Sequence, residues 1–295
     1  MPTDDEQKIA ECINYLTKNG QYQVLNKLVA QTEFNTSPTD KIHKVCIIDT
    51  ETTGLDTEVC EVIELGYQII EFDSSGHFYQ VLCAKNFFNE PNTPISEEVT
   101  KVTGLTMEDV QGHKIPWQEV KEDISQTSLC VAHNAAFDRP ILERYDNVFV
   151  DKIWGCSVAQ IDWSNIADVS SRSQEFLCWK IGQFFYGAHR ALDDVQALSK
   201  LLSCNIGKDE KPAFSYLLKA VRQSKSLVKA TGAPFDIKDH LRARGYRWNV
   251  TERVWQIVLD ESKLEEEMAW LIDHQTPNAN VIKLKATDTF SVRAK

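Results

Sequence analysis

Apolar positions along this 295-residue chain follow three rhythms in succession. Near the N-terminus Ile9, Cys12, Ile13 and Leu16 keep the i, i+3, i+4, i+7 spacing of a helix that Asn19-Gly20 closes, and Tyr22, Leu25, Leu28 and Val29 continue as a second short helical stripe. The pair reads as a helical hairpin packing on a neighbour. Residues 31–40 are polar, contain Ser37-Pro38 and read as a linker. From Lys44 the rhythm shortens to strands at 45–49, 62–72 and 77–84, the last two joined by the turn Asp73-Ser74-Ser75-Gly76. Helical signals fill 96–126: Ser96 suits an N-cap, Glu97 and Glu98 suit a first turn, and Pro116 opens a further helix. A fourth strand at 129–132, a helix from about Ala136, a fifth strand at 148–153 and helices over 174–184 and 190–204 complete the stretch. Three meandering strands followed by strand–helix–strand predict one mixed α/β sheet. In the third stretch, strands at 227–230, 253–259, 281–285 and 290–292 alternate with a helix over 234–244 closed by Gly245. Ser262-Lys263-Leu264-Glu265 forms a capping box for another helix ending near Asp273. The reading is an N-terminal helical extension and linker (1–40), an α/β domain (41–205) and a small basic α+β domain (206–295).

Composition adds limits. Hydrophobic residues at 42% and charged residues at 25% are globular values. No apolar run approaches the roughly 20 residues that span a bilayer, and Met1-Pro2-Thr3-Asp4-Asp5-Glu6 is acidic where a secretory leader is basic. Eight cysteines with no C-x-x-C pair, several inside apolar runs, point to reduced thiols and a cytoplasmic protein. A net charge of −11 argues at face value against a nucleic-acid partner. Its distribution softens that argument: residues 41–205 hold 13 basic and 25 acidic side chains, whereas 206–295 hold 16 and 12. An acidic centre beside a basic appendage suits a metal site with a substrate-holding module.

Candidate chemistry lies in three segments. The strand 45–49 runs into Asp49-Thr50-Glu51-Thr52-Thr53-Gly54-Leu55. Residues two apart on a strand share a face, so Asp49 and Glu51 project together, and carboxylates that close repel unless a proton or a cation lies between them. The strand 129–132 runs into His133-Asn134-Ala135-Ala136-Phe137-Asp138. Taken alone, Asp138 reads first as an acid in a first helical turn. Ligands of such sheets bind beyond the carboxyl ends of the strands, where Asp49, Glu51 and Asp138 fall. The third segment is His189-Arg190-Ala191-Leu192-Asp193-Asp194. On a helix Asp194 shares its face with Leu198 and Leu201, whereas Asp193 aligns with Ala197 and Lys200 and reads as solvent-facing. Asp194 is therefore the inward acid, an expensive position without a cation or partner.

Together the three segments resemble the motifs of the DEDDh 3′–5′ exonucleases, the ribonuclease H-like family that includes epsilon-type proofreading subunits and exonuclease X. The likeness covers about residues 44–204, and Asp49, Glu51, Asp138, His189 and Asp194 fill all five signature positions. It implies a ribonuclease H-like mixed five-stranded sheet flanked by helices and two divalent cations, Mg²⁺ or Mn²⁺. The reaction implied is 3′-to-5′ hydrolysis releasing nucleoside 5′-monophosphates. Asp49, Glu51, Asp138 and Asp194 would be the metal ligands, with Asp49 shared, and His189 the general base. Thr52, Thr53, Leu55 and Asn134 would lie near the terminal nucleotide. Hard carboxylate oxygens suit these ions, and paired ions serve in-line displacement.

Lys238, Arg242, Arg244, Arg247, Trp248, Arg253 and Trp255 interleave cations with tryptophans, as single-strand binders do, although a small domain with a tryptophan core and solvated charges would look the same. The favoured substrate is DNA, single-stranded or frayed at its 3′ end. Rival readings are an RNA-trimming or oligoribonucleotide-degrading enzyme, and a polymerase-associated nucleic-acid-binding subunit. Gln23-Val24-Leu25-Asn26-Lys27-Leu28 faintly resembles a clamp-binding peptide, which its place on a predicted helix discounts.

Overall fold

Side chains along the first long strand alternate between two cores, and this alternation organises the molecule. In the computed structural model, which describes residues 4–35, 38 and 40–294, the elements run in the following order. They begin with helix α1 (Asp4–Lys18) and strands β1 (Asn26–Lys27), β2 (His43–Thr52), β3 (Val62–Phe72) and β4 (Phe78–Phe88). Helices α2 (Glu97–Thr103), α3 (Met107–Val110) and α4 (Trp117–Ser125) lead to β5 (Leu129–Ala132), α5 (Ala135–Leu142) and β6 (Trp154–Cys156). After α6 (Ser157–Gln160), α7 (Trp163–Ala167) and α8 (Gln174–Leu177) come β7 (Phe184–Phe185) and α9 (Ala191–Ser203). The remainder holds β8 (Asn205–Ile206), β9 (Lys211–Pro212), α10 (Ala213–Arg222), β10 (Lys225–Lys229), α11 (Lys238–Ala243), β11 (Arg247–Asn249), β12 (Val254–Asp260), α12 (Leu264–Asp273) and β13 (Asn280–Lys283).

Five strands form the main sheet in the order β4-β3-β2-β5-β6, antiparallel among β4, β3 and β2 and parallel from β2 through β5 to β6. Helices flank both faces, giving the mixed α/β sheet expected from the pattern. Val45 and Ile47 of β2 pack with α9 and α10, while Cys46 and Ile48 pack with α4 and α5. The period-2 alternation of a strand therefore sends Asp49 and Glu51 to the α9 side. Among the described residues, no helix is long and apolar enough to cross a membrane.

Several expectations need correction. The second N-terminal helix is absent. Gly20, at φ +74°, ends α1, and the chain then runs extended, with β1 pairing in parallel with β7. Leu28 and Phe34 pack against the first core, and Glu33 bridges Gln80, so edge pairing supplies the backbone bonds that a helix would have made. Of the α1 stripe, Ile9 is 59% exposed and Cys12 is exposed, while Ile13 and Leu16 are half-buried. Residues 31–35 of the expected linker form part of this strap, while residues 1–3, Thr36, Ser37, Thr39 and Lys295 lie outside the described residues. The fifth strand lies later than expected, because Asp146 caps a 3₁₀ turn at Asn147–Phe149. The helix over 174–184 is a short α8 followed by a π turn that ends at Gln183, φ +54°.

In the third stretch, β10, β12, β11 and β13 form a second antiparallel sheet with its own core of Val228, Leu241, Tyr246 and Leu271. β11 carries no strand signal beyond Arg247-Trp248-Asn249. Ser262 sits in a 3₁₀ turn and caps nothing, and residues 290–292 form turns, not a strand. Helix α10, in the segment assigned by sequence to the small domain, packs into the first core, where Phe214 meets Phe72 and Phe78 edge-on and tilted.

Candidate active site

Helix α9 meets the sheet at Gly66, the register partner of Asp49 on β3. A methyl group there would lie 2.7 Å from the Ala191 carbonyl oxygen and nearer still to the Ala191–Leu192 peptide, so glycine alone permits this approach. The contact sets Asp194, in the first turn of α9, beside β2. One carboxylate oxygen from each of Asp49, Glu51 and Asp194 lies within 4.8 Å of the others. Asp138, in the first turn of α5 and 3% exposed, stands beside the trio. Its Oδ1 accepts from the Thr50 amide at 3.2 Å and the Thr50 hydroxyl at 2.9 Å, which ties α5 to the strand between the two β2 acids.

Burial, then the charges of Asp138, Asp194 and Glu51, push Asp49 well above the usual carboxylate range. Burial first, and repulsion from Asp194, Glu64 and Asp138 after it, carry Glu51 up to about 8. Asp138 rises to about 7 through burial, against the opposing Thr50 hydrogen bonds. Burial raises Asp194 as well, although Tyr186 Oη (2.8 Å), Gln174 Nε2 (3.1 Å) and the amides of His189 (2.8 Å) and Arg190 (3.2 Å) all donate to it. Arg190, which eases Glu51, is itself committed to Glu64. Partly buried acids that repel one another and have only hard oxygen donors to offer form, with buried Asp138 beside them, a candidate metal-binding cluster for divalent ions. The donor set fits; the hydrogen bonds that fill Asp194 would have to share its oxygens with an ion.

His189 sits at the rim at φ +68°, its amide anchored to Asp194 and its ring exposed over the cleft. A cleft of about 680 Å³ runs from the acids past Leu55 to α2. Asn134, the residue before α5, lines it, as do Thr52 and Thr53, whose hydroxyls also bond within their loop to Gly54 O and the Glu61 amide. Leu55 stands 89% exposed at its edge, and Val99 and Val102 form the facing wall.

Sequence reading missed the supports of this site. Glu64, fully buried on β3 and paired in register with Glu51, accepts from Arg190 Nε and Nη2, the Ala191 amide and Asn86 Nδ2. A glutamate and a glycine inside the apolar run Val62-Ile63-Glu64-Leu65-Gly66 were the available signals. Gln174 and Tyr186 carry no comparable mark. Asp193 is exposed as expected, but Ala197 on its face is buried.

The C-terminal cations separate into two groups. Arg244 is bound by Glu267 and lies over Trp270, Lys238 lies over Phe235, and Arg242 pairs with Asp239 while facing Trp255. Trp248, Arg253 and Trp255 line one cavity, and Arg247 is exposed on β11.

Acids carried by the central strand β2 and by the first turns of α5 and α9, gathered beside an open cleft, form a candidate divalent-metal site. Residues 46–202 match the family described as Exonuclease, and the chain belongs to that family. It is 27% identical to the PolC-type DNA polymerase III of Thermotoga petrophila over 168 residues, which are 52% of this chain and 11% of that protein. It is 28% identical to the DNA polymerase III subunit epsilon of Treponema pallidum over 175 residues, 55% of this chain and 76% of the relative. The chain thus spans only a small part of the PolC-type proteins. Among solved structures, exonuclease X in complex with 5′ overhanging duplex DNA aligns at 22% identity and a TM-score of 0.42, covering 58% of this chain and 99% of that one.

Proposed function

We propose that the protein is a 3′-to-5′ exonuclease that removes nucleotides from single-stranded or frayed DNA and releases nucleoside 5′-monophosphates. The observation that carries this reading is the convergence of Asp49, Glu51 and Asp194 within 4.8 Å at the floor of an open cleft. With Asp138 they would hold two divalent cations, Mg²⁺ or Mn²⁺, which when bound supply the positive charge that offsets the charge of the phosphoryl group. His189, anchored by its backbone and free in its ring, would take the proton from the attacking water, a role suited to imidazole. Leu55 and the α2 wall would seat the terminal base, and Asn134 would address the terminal sugar or phosphate. Thr52 and Thr53, whose hydroxyls serve the loop, would contact the nucleotide mainly through that loop.

The polymerase names of the relatives support DNA as substrate and make association with a polymerase or clamp a further proposal. The segment 23–28 offers little for that role in the described conformation: Gln23 bonds Gln183 and Trp179, and β1 is paired. Free cysteines throughout support a reducing, cytoplasmic setting. The direct test is digestion of matched 3′- and 5′-labelled DNA and RNA with Mg²⁺, Mn²⁺ or chelator. Stepwise loss from the 3′ end of DNA, dependent on the ion, is expected; internal cleavage, or equal activity in chelator, would overturn the reading.

A further inference from the structure

Within the small C-terminal sheet, β11 and β12 pair so that Trp248 and Trp255 lie directly opposite one another, ring centroids 5.6 Å apart and edge to face. Trp255 belongs to the apolar core beneath α11 and α12, whereas Trp248 is on the edge strand and 47% exposed. One indole thus braces the other and leaves a fixed aromatic face in water. Around it the hairpin and the 230–233 turn enclose a cavity of about 450 Å³, lined also by Arg253, Glu252 and Lys229. Lys229 and Glu252 pair and cancel. Among the described residues, Arg253 and Arg247 have no carboxylate partner, in contrast to Arg244 and Arg242. Arg253 is held at φ +52° at the mouth of the hairpin.

We propose that this hairpin is a second contact for single-stranded polynucleotide, in which Trp248 stacks a base, Arg253 in the same cavity holds an adjacent phosphate, and Arg247, on the opposite face of the edge strand, meets the backbone where the polynucleotide passes round that edge. An exposed aromatic plane needs a flat π partner, and unpaired guanidinium groups need anions. An unpaired strand offers both in alternation, whereas a duplex hides its base faces and an acidic peptide lacks them. The acidic main domain makes the same point: with 25 acidic against 13 basic side chains over 41–205, retention of a polyanion falls to the basic segment. This inference extends the exonuclease reading and rests on it for its purpose, though its chemistry can be measured alone.

The test uses the 295-residue chain in chelator, which on the proposed metal requirement suppresses cleavage, with fluorescent thirty-nucleotide oligo-dT and oligo-U. Trp248→Ala is expected to weaken binding of both about tenfold, in line with the roughly 1–3 kcal/mol of one stacked base, while Trp248→Phe retains most of the affinity. Arg247→Gln with Arg253→Gln should lower the dependence of log affinity on log salt by about one to two. Oligo-dT bound more tightly than oligo-U would assign the contact to DNA; the reverse order would assign it to RNA. Wild-type affinity in Trp248→Ala and in the double arginine variant, with melting temperatures unchanged, would overturn the proposal. Failure of the wild-type protein to hydrolyse a thymidine dinucleotide with Mn²⁺ would instead strike the exonuclease reading and leave the binding result standing.

Discussion

His189 combines a fixed backbone with a free side chain: its amide bonds Asp194 at 2.8 Å while its ring faces the cleft. Replacing it with alanine removes a proton acceptor and no metal ligand. His189→Ala should therefore lower the single-turnover rate on a 3′-labelled strand by about 10²–10⁴-fold, while Mn²⁺ binding measured by calorimetry stays within about twofold. An unchanged cleavage rate would dismiss the general-base role. The acids make a prediction of opposite character. Without cations, Glu51 is raised from an ordinary 4.5 to about 8 and Asp138 from 3.8 to about 7. A carboxyl raised in the folded state contributes stability that is full below its unfolded value and is lost as pH climbs through the folded value. In chelator the melting temperature should thus fall between about pH 4.5 and 8, and Mn²⁺ should restore it increasingly toward the alkaline end; Glu51→Gln should flatten the slope. A chelator curve that rises across this range would contradict the assignment. At this scale the sequence was readable where periodicity spoke: helical spacing selected Asp194 over Asp193, and strand spacing paired Asp49 with Glu51. Glu64 escaped because nothing in a single apolar strand tells that its partner, Arg190, lies 126 residues away.

Elements were legible where one rhythm ran long enough to dominate. β3 and β5 have the bounds that alternation and apolar runs predict, and Ser96 caps α2 by accepting from the Val99 amide. The failures were short pieces whose backbone found partners elsewhere, such as the strap at β1 and the 3₁₀ turn capped by Asp146. Most consequential for function is the seating of α9 on β3, which depends on Gly66. In Gly66→Ala the added methyl meets backbone atoms of Ala191 and Leu192, and backbone cannot rotate away. Either α9 slides or β3 bends, and overpacking of this kind costs about 1–3 kcal/mol. Because Asp194 travels with the helix, activity should fall by at least about tenfold, more than the loss of stability explains, since a displacement near 1 Å can cost about 10²-fold. Circular dichroism would confirm a retained fold. A variant with wild-type turnover would show that the close approach is dispensable.

At the scale of the whole molecule, the chain after β13 returns to the main domain and closes around Arg139, the residue next to Asp138. Arg139 is fully buried, bonds Glu143 at 2.7 Å, and donates to the carbonyl oxygens of Thr289 (2.7 Å), Val150 (3.2 Å) and Thr287. Phe290 packs against the second core, and Arg293 reaches Glu143 and Asp288. Sequence offered no sign of this clasp, because its acceptors are backbone carbonyls and any residue supplies one. The same fact shapes the experiment. Thr287→Ala and Thr289→Ala should be nearly silent, whereas removing residues 285–295 takes away two of the three carbonyl acceptors of the Arg139 guanidinium and withdraws Phe290 from the core. An unsatisfied buried donor costs about 1–3 kcal/mol, more when charged, and about 1 kcal/mol moves the melting point of a protein somewhat smaller than this one by about 2–4 °C. The truncated protein should therefore melt about 5–10 °C lower. Since α5 carries both Arg139 and Asp138, cation affinity should weaken alongside, and replacing Arg139 by methionine in the truncated chain should recover part of the stability by removing the donors left without acceptors. A truncation that melts within about 1 °C of the full chain would mean that α5 is held by Glu143 and the Thr50–Asp138 bonds alone.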